Sequence, residues 1–431
     1  MKKPPVTPAV IFAWGLIIAA SSIAVPPLYR SKHRYLFLVC IAIASGSYLR
    51  TLCFLDRAGA ASRRALALCL ALAALWRVPL VLMPPTLSTD VYRYVWDGRI
   101  QRLGYDPYLV VPSDPTHREL HTAETLLMNH PDLPTPYPAG AELFFRAVMM
   151  VHESARAMKS ALTICDVATA TILLLWLGSS GRNPWWVLAY AWNPLVTLEG
   201  AGNGHIDLLG ALCLIATAFL LSRDRPTIAA LALAFGLAVK FLPVVMLPLF
   251  WRRIGMRDVV LALVLLAVLY LPFLSFHGRP VGSLATYLSL WRINAPLYGV
   301  LQNVLPNVAL VPLPAALGFA VAAWARRRWV PDDPKTWAWP AAVALLFAPT
   351  LFPWYLLWLT PFLFSTSTLP LAVWSVSILA TYSTLPGWAV RVIEYGPVAT
   401  SIAAGHRHLG LLPYTRLKSA LSWSRSRANS A

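Results

Sequence analysis

The sequence predicts an all-α polytopic membrane protein with about 10–13 transmembrane helices. It also predicts a structured first outer loop bearing short interfacial helices. Three observations carry this expectation. Hydrophobic residues make up 58% of the 431-residue chain and charged residues 13%, roughly half the charged share of a soluble domain. Mean hydropathy is +0.60. Apolar runs recur from end to end, each near the ~20 residues that a helix needs to cross a hydrocarbon core of about 30 Å.

The chain opens on Met-Lys-Lys and an apolar run to Val25, and Ser22-Ile-Ala24 has the form of a signal cleavage site. Many spans follow, so the run is expected to stay as a first helix. With the runs 36–55 and 65–83 it forms an N-terminal transmembrane unit, 1–83. An extracytoplasmic loop, 84–155, comes next. It holds a helix near 88–103, a turn at Gly104-Tyr-Asp-Pro107, a proline-rich stretch from His130 to Pro138, and an amphipathic run from Ala141 to His152. Two such helices on a proline-stiffened segment predict a lid over a membrane-facing cavity. The transmembrane core, 156–412, contains a second outer loop, 277–306, and a basic cytoplasmic tail, 413–431, closes the chain. Two core runs are broken: 227–250 has Lys240 in mid-run before Pro243, and 337–363 carries Pro349 and Pro353. Broken helices are tolerated at membrane depth where they line a cavity.

The formal charge of +18 does not indicate nucleic acid, because Lys and Arg fall in short clusters between apolar runs. Cytoplasmic retention of basic loops and attraction to anionic headgroups account for it. Arg63/Arg64, Arg223/Arg225, Arg252/Arg253/Arg257 and Arg326/Arg327/Arg328, with Lys2, Lys3 and Arg57, set the loop 84–155 outside, in a cytoplasmic (inner) membrane. Arg30, Lys32 and Arg34 break the pattern by facing outward. The run 227–250 must also leave and return on one side, or a span is miscounted. The five cysteines sit in apolar stretches at no metal-ligand spacing and read as small buried hydrophobes.

Four constellations carry chemistry. In Leu87 to Ile100, Ser88 or Thr89 can cap a helix that puts Asp90, Tyr94 and Asp97 on one face, with Arg93 one step around and Arg99 beyond. One carboxylate can take a hydroxyl proton while guanidinium groups hold a departing phosphate. The competing reading is an interfacial helix whose Asp and Arg merely balance. In Trp192 to Asp207, the groups Glu199, Asn203, His205 and Asp207 stand where charge is costly, among glycines that allow close approach. Hydrogen bonding to phosphate or sugar competes there with a polar cluster that fixes helix packing. Lys240 either snorkels or meets an anionic phosphate. Phe352-Pro-Trp-Tyr-Leu-Leu-Trp358 is either a belt of interfacial aromatics or a stacking wall. His117 and His121 lack a third partner for a metal, and Asp166 and Glu394 are intramembrane acids that need partners. No cofactor is called for, no metal ligand set is assigned, and a divalent metal is left open.

These residues together have a familiar order. Ser88-Thr-Asp-Val-Tyr-Arg-Tyr-Val-Trp-Asp-Gly-Arg99 and Gly104-Tyr-Asp-Pro-Tyr108 are followed by Tyr137-Pro138 and by Asn193-Pro194 with Gly204-His-Ile-Asp207. Lys240 with Pro243, Pro353-Trp-Tyr355 and Glu394-Tyr395 come after. The chain thereby resembles the integral-membrane GT-C superfamily of glycosyltransferases, and within it bacterial polyprenyl-phosphate-mannose-dependent mannosyltransferases. The resemblance implies a GT-C fold and an inverting transfer of a hexose such as mannose. The donor is a polyprenyl-phosphate-linked sugar, and the acceptor is an extracytoplasmic glycan or glycolipid. It maps the loop acid onto Asp90, with Asp97 as second choice. Arg93, Arg99, His205, Asp207 and Lys240 become donor-binding residues, and Tyr94, Tyr137, Asn203, Trp354 and Tyr355 line the pocket. Ala139 replaces a proline usual in that pattern, which implies a looser hinge on the acceptor side. Membrane lipid is an expected partner and nucleic acid is not. Two other classes compete: a flippase or transporter of lipid-linked sugar, and a ligase or polymerase using a pyrophosphate-linked glycan.

Overall fold

The computed structural model describes residues 7–56, 62–274, 280, 282–284, 286 and 291–405. Lys2, Lys3, Arg57, much of the second outer loop and the tail 413–431 lie outside these residues. The described residues are helical throughout apart from turns, and the one β-bridge among them is an isolated pairing of Ile293 with Thr350. Six stretches are long and apolar enough to cross a membrane: Pro8–Arg30, Arg34–Leu55, Arg63–Leu82, Ala155–Ser179, Met256–Phe273 and Asn307–Arg328. The protein is an all-α, multi-pass membrane protein. The remaining passes are short or broken.

Helix α1 (Pro8–Arg30) packs on α2 (Arg34–Leu55) and α3 (Arg63–Leu82). Two ends of the bundle are defined by contacts. At one end Arg30 Nη2 donates to Pro84 O and Thr86 Oγ1, both at 3.3 Å. At the other, Trp186 Nε1 donates to Asp56 Oδ1 at 2.8 Å. The first will be called the loop end. From it descends α4 (Asp90–Arg102), and α5 (Ala139–Val151) follows before α6 (Ala155–Ser179) leads to the far end, where Trp176 and Ser180 hold Asp332.

The short α7 (Leu188–Ala191) and a π-helical stretch, Val196–Gly202, return toward the loop end. Helices α8 (Asp207–Ser222) and α9 (Pro226–Val239) then go out and back. At Lys240 the backbone is extended, and a 3₁₀ stretch, Leu242–Phe250, runs back to the far end, where Arg326 reaches Trp251 O. The run 227–250 therefore leaves and returns at one end of the bundle, the first of the two readings that the loop charges left open. Pro243 lacks the N–H that a continuing helix needs, which makes the break local and obligatory. Helix α10 (Met256–Tyr270), α11 (Leu313–Arg328) and α12 (Lys335–Leu346) follow. The run 337–363 breaks as expected, into α12 and the 3₁₀ segments Pro353–Trp358 and Thr360–Phe362. Helices α13 (Leu369–Ser377) and α14 (Gly387–Gly405) complete the described core.

The helix near 88–103 forms as expected, but it is not a lid. Val91 to Gly98 are all buried, and α4 packs between α5 and α6. Tyr94 stacks on Phe145 at 4.5 Å, and a Cβ on Gly98 would stand 2.5 Å from Phe145 O, so the crossing is too close for alanine. Most of its charged and amide groups find partners inside the protein, which is what permits burial. Arg93 pairs with Asp97, and Gln101 Nε2 donates to Glu142 Oε2 at 2.7 Å. The helix is thus a wall of the molecule. Asp166 finds Arg77 at 2.5 Å, whereas Glu394 accepts from Asn294 and Trp374, both at 2.9 Å, with no arginine between them.

Candidate active site

A cavity of about 680 Å³ opens at the loop end. The start of α4, the proline-rich loop 129–138, the α9 break and the segment 348–358 line it, and Trp291 and Ile293 close one side. The segment that holds Ser283 and Trp291 touches the proline-rich loop: Ser283 N donates to Thr135 O and Ser283 Oγ to Pro134 O, and His130 lies 4.4 Å from Trp291.

Asp90 is the first residue of α4, where free N–H groups favour a carboxylate. Thr89 occupies the cap position without a side-chain hydrogen bond; Ser88 Oγ instead accepts from Asp90 N at 3.3 Å. The Asp90 side chain faces the cavity, 15% exposed. Asn129 Nδ2 donates to its Oδ1 at 2.7 Å, and its Oδ2 stands 3.7 Å from His205 Nδ1. His205 is fully buried and lies flat on Trp354, ring centres 4.1 Å apart; Trp354 in turn stacks on Phe352 at 4.3 Å. The other imidazole nitrogen, Nε2, is 3.2 Å from Glu199 Oε2.

Glu199 is held from two more directions, by Tyr382 O–H at 2.7 Å and Asn203 Nδ2 at 2.9 Å. Asn203 Oδ1 accepts from the backbone N–H of Thr86 and Leu87, at 3.1 and 3.0 Å, and so fixes the segment that delivers Asp90. The π-helical turn makes this possible by placing Glu199 and Asn203 on one inward face; such turns recur at functional sites. Gly204 follows with φ +76°, and a Cβ there would meet Lys159 Cγ at 2.7 Å. Only glycine combines that backbone with that space.

Across the cavity, Lys240 Nζ donates to both oxygens of Asp207, at 2.8 and 3.0 Å, and lies 4.2 Å over the Tyr355 ring. Trp358 Nε1 donates to Asp207 Oδ1 at 2.7 Å. The chain leaves α9 at Lys240 in extended form, which turns the ammonium into the cavity instead of leaving it to snorkel. Arg93 also lines the cavity. Its Nε is 2.9 Å from Asp97 and its Nη1 donates to Leu133 O, while its buried Nη2 has no hydrogen-bond partner among the described residues.

Of the expected site residues, Asp90, Arg93, Tyr137, Asp207, Lys240, Trp354 and Tyr355 line this one cavity. His205, Asn203 and Tyr94 stand behind the wall, the first two supporting it. Asp97 and Arg99 do not reach it. Asp97 is fully buried under Arg93, and Arg99 turns away to Leu120 O and Glu153. Sharing a helical face with Asp90 did not bring Asp97 to the cavity, because the face is covered by α5 after its first turn. Burial pushes the Asp97 carboxyl up against the pull of Arg93, and burial beside Asp97 pushes Glu142 well above the carboxylate range. Arg93 bonds Asp97 directly and offsets part of its rise, whereas no ion pair to a cation joins Glu142 among the described residues. His117 and His121 bond the carbonyls of Val111 and Pro112, and no three His, Cys, Asp or Glu side chains among the described residues are grouped to hold a metal ion.

Asn129 and Tyr382 are the contributors that sequence reasoning missed; Trp358 stood in the aromatic cluster, but its bond to Asp207 was not foreseen. Asn129 had one local signal, its place before His130-Pro131 at the start of the proline-rich stretch; Tyr382 reaches the site only through tertiary packing.

Residues 12–255 match the family model described as alpha-(1->6)-mannopyranosyltransferase, N-terminal domain. This is more than half the chain, and the protein belongs to that family. A curated relative, alpha-(1->6)-mannopyranosyltransferase A of Mycobacterium tuberculosis, is 25% identical over 330 residues. The match takes in 66% of this chain and 62% of that protein, so the chain spans under two thirds of its relative's length. No solved structure matches.

Proposed function

We propose that this member of the alpha-(1->6)-mannopyranosyltransferase family transfers mannose from a polyprenyl-phosphate donor to an extracytoplasmic glycan or glycolipid acceptor, with inversion at C1. The relative's printed activity supports the sugar and the bond. The observation that carries the reaction is the pairing of two chemistries in one cavity: an oriented carboxylate, Asp90, and a cation pair, Lys240 and Arg93, with donors to spare.

In this mechanism the acceptor hydroxyl lies against Asp90 Oδ2. As its oxygen bonds to C1, its proton passes to Asp90 and the C1–O bond to phosphate breaks on the opposite face. The leaving group departs as polyprenyl phosphate, a dianion or monoanion that Lys240 and Arg93 Nη2 stabilise as charge builds on it. Three ammonium N–H bonds serve Lys240. Asp207 takes up part of that capacity and holds the group aimed, leaving a donor for phosphate. The isoprenoid tail runs along the Trp354 and Phe352 wall toward lipid. Asp97 is assigned a supporting role, fixing Arg93.

The loop end faces the extracytoplasmic side of the cytoplasmic membrane in this reading. Its support is the far end, which gathers Arg223, Arg225, Arg252, Arg253, Arg257 and Arg326 to Arg328. The test of donor class uses purified full-length protein with radiolabelled polyprenyl-phosphate mannose and, separately, a pyrophosphate-linked glycan. Label should leave the monophosphate donor alone. Turnover of only the pyrophosphate substrate would overturn the assignment in favour of a ligase. Movement of intact lipid without release of sugar would make the protein a flippase.

A further inference from the structure

The corner between α1 and α2 carries Arg30, Lys32 and Arg34, a basic cluster at the loop end, against the charge pattern that gathers such clusters at the far end. These three side chains line a second pocket, of about 410 Å³, with Tyr29, Phe37 and Tyr382 among its other walls. No carboxylate lines it, and none of the three cations has an ion-pair partner among the described residues. Arg30 spends one nitrogen on Pro84 O and Thr86 Oγ1 and keeps its remaining donors. Lys32 sits at φ +60°, a left-handed conformation that lysine rarely adopts, and Arg34 N closes the turn on Lys32 O at 2.9 Å. That turn is what brings three like charges to one pocket. Mutual repulsion and a strained backbone are retained together, which calls for a compensating anion.

We propose that this corner binds the phosphate of an anionic phospholipid headgroup from the surrounding bilayer. Two features select a lipid over a free ion. Tyr35, Leu36 and Val39, next along α2, are 87%, 55% and 51% exposed, a run of apolar surface leading from the pocket along the bundle's outside. The pocket also mixes its cations with Phe37, Leu38 and Pro85, which a hydrated ion gains nothing from touching. Guanidinium and ammonium groups at the membrane surface draw anionic headgroups, and arginine grips phosphate through two parallel N–H donors. The site is separate from the cavity of Asp90 but adjoins it: Thr86 lines both, and Arg30 bonds it.

The test reads lipid and not transfer, so it is independent of the reaction assigned above. Full-length protein from nanodiscs of phosphatidylcholine with and without phosphatidylglycerol is analysed by native mass spectrometry for retained lipid. Wild type should keep phosphatidylglycerol after delipidation, and the triple variant Arg30→Gln/Lys32→Gln/Arg34→Gln should bind it on the order of a hundredfold more weakly. Lys32→Gly removes one charge while relieving the left-handed strain, so it should fold and still lose about fivefold or more in affinity. Equal retention in wild type and Lys32→Gly would overturn the site. Displacement of the lipid by inorganic phosphate would overturn the lipid assignment in favour of a free anion.

Discussion

Asn129 Nδ2 donates to Asp90 Oδ1 at 2.7 Å, across 39 residues of chain. The far half of the loop 84–155 thus orients the carboxylate that its near half presents. Because one oxygen is tied to an amide, the other is turned toward His205 and the cavity.

That arrangement separates two variants that would otherwise look alike. Asp90→Asn keeps the shape and the Asn129 contact in altered form but cannot accept a proton; sugar release should fall about 10²- to 10⁴-fold. Asn129→Ala leaves the base in place and frees its rotamer, so the loss should be on the order of tenfold, the worth of one hydrogen bond to a charged group. Single-turnover release of labelled sugar measures both. Near-wild-type release by Asp90→Asn would remove Asp90 from the mechanism.

Lys240 and Asp207 make a second pair with unequal roles. Lys240→Met removes the cation proposed to meet phosphate and should raise KM for the lipid donor as well as lower kcat. Lys240→Arg should restore much of both. Asp207→Asn leaves an acceptor for the Trp358 indole but loses the charge that holds Lys240, so its loss should be intermediate. Steady-state kinetics with varied donor separates these outcomes. A Lys240→Met enzyme with unchanged KM and kcat would place the phosphate elsewhere.

The sequence made the breaks legible and the wall illegible, for physical reasons. Pro243 beside Lys240, and Pro349 with Pro353, act through backbone chemistry that is local, so their consequences appear where the residues are. The role of Asp97 depends on what covers α4. Helical periodicity assigns Asp90 and Asp97 to one face, and it cannot say that α5 seals that face after one turn. What Trp358 and Tyr382 hold is invisible for the same reason. Each lies more than 150 residues from the acid it holds, at separations of 151 and 183. The basic corner at Arg30 was visible as an exception to the charge pattern, and it proved to be a pocket.

Glu142 gives a prediction in pH. Its folded carboxyl is raised well above the ordinary range by burial and by Asp97, so the folded state keeps a proton that the unfolded chain releases near its ordinary value. The stability of the pair is therefore fully present below the unfolded value and declines as pH rises toward the folded one. Glu142→Gln has no such proton to lose. Its amide can still accept from Thr135, and its N–H₂ can meet the Gln101 carbonyl oxygen, which has no partner among the described residues. Melting temperature followed from pH 4 to 8 should fall with pH in wild type more than in Glu142→Gln. Parallel curves would mean that the raised Glu142 carboxyl carries none of the pH dependence.

Arg77 and Asp166 form an ion pair in the transmembrane core, 5% and 1% exposed, and Arg77 Nη1 also donates to Ala191 O at 3.1 Å. Ala191 ends α7, directly before the stretch that carries Glu199, His205 and Asp207. The pair thus sets where that stretch begins. Replacing one member strands a buried charge, so Arg77→Leu or Asp166→Leu should each destabilise by about 3–5 kcal/mol. The double variant Arg77→Leu/Asp166→Leu leaves no charge behind and should recover most of that loss. Recovery should stop short by about 1–3 kcal/mol, because the Ala191 carbonyl loses a donor it has no other way to replace. Detergent-resistant unfolding of the four proteins closes the cycle, and additive losses in the double variant would show that the two charges do not act as a pair. Sugar transfer should recover less than stability does, since the carbonyl that remains unpaired is the one that positions the start of the active-site turn.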